Sequence, residues 1–108
     1  MKIKDIRNPG KPSYGKELDV YGVYWNDGIR VYFVIPTKDY NGFLAINEKD
    51  SELTDSLLNG FVLRKDDMGT DMFLHWAADK DNLIYDLIEH DPEAMKEFKR
   101  RLAEGYQN

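Results

Sequence analysis

The stretch from Leu18 to Ile35 constrains the fold more than any other part of the chain. Leu18-Asp19-Val20-Tyr21-Gly22-Val23-Tyr24-Trp25 and Ile29-Arg30-Val31-Tyr32-Phe33-Val34-Ile35 are both rich in aromatic and β-branched residues, which fit a pleated, half-buried surface. In the second run Ile29, Val31, Phe33 and Ile35 recur at period two, with Arg30 and Tyr32 on the opposite side. Asn26-Asp27-Gly28 separates the runs, and Gly28 suits the positive φ of a bulged three-residue loop. The pattern predicts a β-hairpin. Pro36 ends it, because proline cannot donate to a strand ladder. Tyr21, Val23 and Trp25 are expected on one face of the first strand, as a partly exposed aromatic row.

Around this hairpin the order of elements is strands first and helices last. Residues 1–7 read as a short edge strand or a disordered arm, followed by a Pro- and Gly-rich loop from Asn8 to Gly15. Gly42–Asn47 reads as a third strand. Leu53, Leu57 and Leu58 are spaced as on one helix face, so residues 50–60 read as a short helix or a structured loop, capped by Asp50 or Ser51 and ended by Gly60. Phe61–Lys65 and Asp71–Trp76 flank a turn at 66–70 and predict a second hairpin. A helix capped by Asp79-Lys80-Asp81 carries the stripe Leu83, Ile84, Leu87 and Ile88. A last helix starts on Asp91 as N-cap with Pro92 at its first position, turns Ala94, Met95, Phe98 and Leu102 inward, and stops at Gly105. The class is therefore α+β: an antiparallel sheet of about five strands with two C-terminal helices on one face, in a single domain over residues 1–108. The lack of β-α-β alternation argues against a doubly wound nucleotide fold.

Composition narrows the function. The chain has no cysteine, so disulfides, thiolate metal ligands and cysteine nucleophiles are all excluded. Aromatic residues at 13% argue against disorder. No apolar run reaches the ~20 residues of a membrane span, and the N-terminus lacks a secretory apolar stretch. A cytoplasmic protein without membrane contact is the expectation. The net charge is −5, distributed in blocks: residues 39–93 hold four basic side chains against fourteen acidic ones, while both flanking segments are mildly basic. Phosphate contact needs a concentrated basic face, so nucleic acid is not the expected partner. An acidic centre attracts a basic protein instead.

No catalytic constellation emerges. Gly15-Lys16-Glu17 lacks the spacing and the hydroxyl of a phosphate loop. Asp66–Asp71 lacks the ligand order of a calcium loop. The two histidines, His75 and His90, lie in different elements and suit a structural position and a helix end rather than zinc. No Gly-x-Ser-x-Gly elbow is present. The expectation is no enzyme, no metal and no cofactor. One alternative is a non-enzymatic interaction domain, monomeric or homodimeric through the aromatic face of the first hairpin. Another is a small hydrolase or isomerase using scattered carboxylates with His75.

In Tyr21-Gly22-Val23-Tyr24, the Asn26-Asp27-Gly28 turn, the acidic middle and the Asp91-Pro92-Glu93 helix start, the chain resembles the small, acidic, cytoplasmic immunity proteins that bacteria pair with polymorphic or contact-dependent toxins. The resemblance covers size, charge and element order and rests on no diagnostic motif. It implies tight binding to a cognate toxin domain, commonly a nuclease with a basic cleft, whose active or substrate site is blocked. The residues expected to meet that partner are Asp50, Glu52, Asp55, Asp66, Asp67 and Asp71, with Trp25 or Trp76 beside them. They are expected to form one electronegative surface.

Overall fold

The computed structural model describes residues 1–12, 14–65 and 68–105. Among the described residues seven strands are present: β1 (Lys2–Asp5), β2 (Glu17–Asn26), β3 (Ile29–Val34), β4 (Leu44–Asn47), β5 (Ser51–Asp55), β6 (Phe61–Lys65) and β7 (Asp71–His75). Three helices follow: α1 (Trp76–Asp79), α2 (Leu83–Ile88) and α3 (Pro92–Glu104). The α+β class, the two hairpins and the C-terminal helices stand as the sequence predicts. Every strand pairing is antiparallel.

The long strand β2 organises the sheet. On one side it pairs with β3, which pairs with β4. On its other side it has two successive neighbours. Its first residues pair with β1 (Lys4 opposite Glu17), and its last with β7 (Tyr24 opposite Met72). β5 extends the sheet beyond β1, and β6 extends it beyond β7. Five strands from β4 to β5 laid flat would span about 19 Å. Yet Asn47 and Ser51 are joined only by a 3₁₀ turn, Glu48–Asp50, and four Cα steps reach at most ~15 Å. The sheet must therefore curl, and Ile3, Leu18, Val20, Val23, Tyr32, Val34 and Ile46 pack together on its concave face. The other face carries Phe33, Met72 and Leu74 against Ala77, Ile84, Leu87, Met95 and Phe98 of the helices.

Several sequence expectations need correction. The first hairpin turn has two residues: Asn26 pairs with Ile29, and Asp27 and Gly28 both take positive φ (50° and 77°). This geometry matches the right-handed strand twist. Tyr21, Val23 and Trp25 do not share a face. A bulge lets β2 advance from Val20 to Gly22 while β3 moves only from Val34 to Phe33. Tyr21 and Tyr24 thus turn to the helices, while Val23 packs on the concave side and Trp25 sets its ring against Phe73 there. β1 is an interior strand, paired on both sides and burying Ile3 completely. Its end is held by a two-pronged bridge from Arg7 to the buried Asp5 carboxylate (2.9 and 2.6 Å), which holds that carboxyl below its usual range. Residues 51–55 form strand β5, because the open edge of β1 supplies ladder partners that outweigh the weak helical spacing of the leucines.

The helical region also departs from a simple helix pair. Asp79 and Asp81 do not cap α2. Their carboxylates accept from Arg64 (3.1 Å) and Arg101 (3.0 Å), and positive φ at Asp81 and Asn82 breaks the chain between α1 and α2. α3 begins as expected, with the Asp91 side chain accepting from the Glu93 N–H and Pro92 in the first turn. Its buried face also includes Arg101, and the half-buried Leu102 packs against the same core. The Arg101 guanidinium donates to the carbonyls of Ala77 and Lys80 (2.9 and 2.7 Å). It thereby satisfies backbone acceptors that α1 leaves open at its C-terminal end.

Gly42 fixes how the loop after β3 docks on α2. The Phe43 N–H donates to the Leu87 carbonyl (3.1 Å), and a Cβ on Gly42 would lie 2.6 Å from that same oxygen and from the His90 ring. A backbone atom cannot move aside as a side-chain tip can. Gly42→Ala is expected to cost about 1–3 kcal/mol, read as the shift in urea midpoint at constant slope. A midpoint unchanged from the parent would refute the close approach.

Candidate interaction surface

The acids of the sequence reading fall into two groups. Asp50 closes the 3₁₀ turn, and its carbonyl accepts from the Ile6 N–H, off the start of β2. Glu52 and Asp55 follow on β5, opposite Lys4 and Lys2 of β1. Asp71 lies at the far end of β2, one step beyond the Tyr24–Met72 pair, and binds Lys65 (2.8 Å). Through Lys4 and Lys2, Glu52 and Asp55 lie level with Glu17 and Asp19 of β2, whereas Asp71 lies level with Trp25, roughly 20–26 Å further along that strand. Asp50, Glu52 and Asp55 are thus brought together; Asp71 stands apart from them. The single electronegative surface is divided, because the register places the acids at opposite ends of β2 and sets lysines across from Glu52 and Asp55. Asp66 and Asp67 lie outside the described residues. The tryptophans also separate. Trp25 is 37% exposed at the hairpin end of the concave side, whereas Trp76 is half-buried against the helical core, where α1 starts.

A feature missed by the sequence reading lies between these places. Ten large apolar side chains are exposed among the described residues, and five of them, Leu53, Leu57, Leu58, Val62 and Leu63, fall within one short segment. That segment is β5, a five-residue connection and β6, two strands that each have a neighbour on one side only. Strand edges carry unpaired backbone donors and acceptors, and the exposed apolar side chains here share that edge rather than one face, since Val62 and Leu63 point to opposite sides of the sheet. Asp50 directly precedes the segment, and Glu52 and Asp55 lie within it. The overlooked signal was Asn59-Gly60, a turn pair. Gly60 takes φ 75°, so the leucines flank a turn instead of lining a helix.

His75 caps α1: its Nδ1 accepts from the Ala77 N–H (3.2 Å). The ring stands among Tyr21, Phe61, Trp76 and Phe98. Burial, with a smaller contribution from the Met1 ammonium, holds its pKa below the ordinary value. The folded state therefore favours neutral imidazole. Its contribution is complete above about pH 6.5, where the unfolded ring is also neutral. As the pH falls below that, the unfolded chain takes up the proton first and stability drops. His75→Asn keeps a capping oxygen without the titration. Urea midpoints between pH 5 and 7.5 should fall more steeply for the parent than for this variant; parallel curves would exclude the effect. His90 sits with positive φ after α2, its Nε2 3.3 Å from the Phe43 carbonyl and its ring against Tyr40, a helix-end position as expected. Among the described residues, no group of three metal-binding side chains converges, and no helix is long and apolar enough to cross a membrane.

Nothing among known protein families, curated proteins or solved structures matches the chain.

Proposed function

We propose that this protein is a binding protein of immunity type. It acts in the cytoplasm, catalyses no reaction, and neutralises a cognate toxin by covering that toxin's active or substrate-binding site. The observation that carries this reading is the 51–65 segment, where five exposed large apolar side chains sit on two edge strands and their connection. Asp50 just before it and Glu52 and Asp55 within it suit a partner with a basic cleft, as in a nuclease. Such charges act chiefly on the association rate, and the leucines supply the buried area that holds the complex.

The test is co-expression with the product of the adjacent gene. The reading expects that product to kill when expressed alone and to be harmless when this protein is present. A product that is innocuous alone, or equally lethal in both cases, removes the proposal.

A further inference from the structure

At the hairpin end of the sheet five strands or their extensions run side by side in the order β4, β3, β2, β7, β6. The register sets one residue of each in a row across them. Trp25 is opposite Arg30 and Lys65 is opposite Asp71. Asp71 is one step beyond the Tyr24–Met72 pair and so beside Trp25, while Glu48 is one step beyond the Val31–Asn47 pair and so beside Arg30. Glu48 Oε1 accepts from the Arg30 backbone N–H (2.9 Å). The row reads Glu48, Arg30, Trp25, Asp71, Lys65: negative, positive, aromatic, negative, positive. It is antisymmetric about Trp25. The next row on the same face adds Phe73 and Leu63, which are opposed in register, and Leu63 is 58% exposed.

Arg30 is under-compensated in the single chain. It forms no ion pair among the described residues. Among the described residues its side chain makes one hydrogen bond, a long one to the Tyr32 hydroxyl (3.4 Å), and its buried Nε has no partner there. A guanidinium so placed costs free energy that an incoming carboxylate would offset. Asp71 is free to supply it. Its bond to Lys65 joins two side chains that are both more than half exposed, and such pairs are worth little.

We propose that two copies of this chain pair through this face, about a two-fold axis running along β2. Such an axis carries each position on one side of Trp25 onto its mirror position in the other copy. Neighbouring strands are ~4.8 Å apart, so Arg30, one strand to one side, meets Asp71 of the second copy, one strand to the other. Glu48 likewise meets Lys65, and the two Trp25 rings meet at the centre with Phe73 and Leu63 around them. Trp and Arg are the residue types that dominate interface energetics. An axis at right angles, along the row, would set Arg30 on Arg30 and is excluded by repulsion. This pairing does not depend on the toxin-binding reading.

Sedimentation velocity of the full chain from low to high micromolar concentration tests it. The parent is expected to dimerise. Arg30→Glu and Asp71→Lys are each expected to weaken the dimer by about tenfold or more, and the double variant, which reverses both signs and keeps the antisymmetry, to restore it. Trp25→Ser is expected to dissociate the dimer without altering the circular dichroism spectrum, which keeps the test open if Arg30→Glu fails to fold. A parent that stays monomeric, a dimer indifferent to these changes, or a double variant no better than the singles would overturn the proposal.

Discussion

Phe98→Ala is expected to remove about 3–5 kcal/mol of stability, a large share of the ~5–15 kcal/mol that holds a domain of this size folded. Phe98 is fully buried and joins the two halves of the structure. Its ring meets Tyr21 of β2 at 5.1 Å, Phe43 of the loop before β4 at 5.2 Å and His75 of β7 at 6.3 Å. Truncation leaves a void walled by rings that the sheet and the loop docked on α2 hold in place. The thermal midpoint should fall by roughly 15 °C or more, while Phe98→Leu, which refills most of the volume, should lose well under half as much. An Ala variant within about 1 kcal/mol of the parent would mean that α3 is not anchored on this residue.

The second large effect is expected on binding instead of stability. Leu57 is 62% exposed and Leu58 39% exposed in the connection between β5 and β6. The double variant Leu57→Gln with Leu58→Gln removes apolar surface without touching the core or any strand pairing. Surface changes of this kind usually stay within about 0.5 kcal/mol of the parent in stability. If a toxin buries both side chains, their loss costs about 3 kcal/mol, on the order of 100-fold in Kd. The variant should melt as the parent does, yet fail to protect cells from the toxin. Full protection by a folded double variant would place the contact elsewhere.

Where an element depends on neighbours in sequence, its residues announced it. The first hairpin and the Asp91-Pro92 helix start are of this kind: local turn and cap chemistry decides them. Distant partners decided the rest. Residues 2–5 are interior only because Leu53, some fifty positions on, closes their outer edge. The helical spacing of Leu53, Leu57 and Leu58 was overridden by that same pairing. Tyr21 left its expected face because one extra residue in β2 inverts the alternation downstream. Arg101 looked like one more cation near a helix C-terminus, and only the fold reveals the two carbonyls it serves. The candidate surface was legible to the same extent. The acidic pattern singled out Asp50, Glu52 and Asp55, which lie along β5 and the turn before it, on the exposed segment. The spacing of the exposed leucines suited a short helix or a structured loop and gave no sign of their exposure. The row from Glu48 to Lys65 was invisible, because it runs across strands.

Amide hydrogen exchange with and without the purified product of the adjacent gene is the most direct check on the proposed binding surface, since edge-strand amides that exchange freely alone are shielded when a partner covers them. Slowed exchange is expected in residues 51–65, with the amides of α3 unchanged. Slowing confined to the helices, or none anywhere at saturating concentrations of that product, is the opposite result.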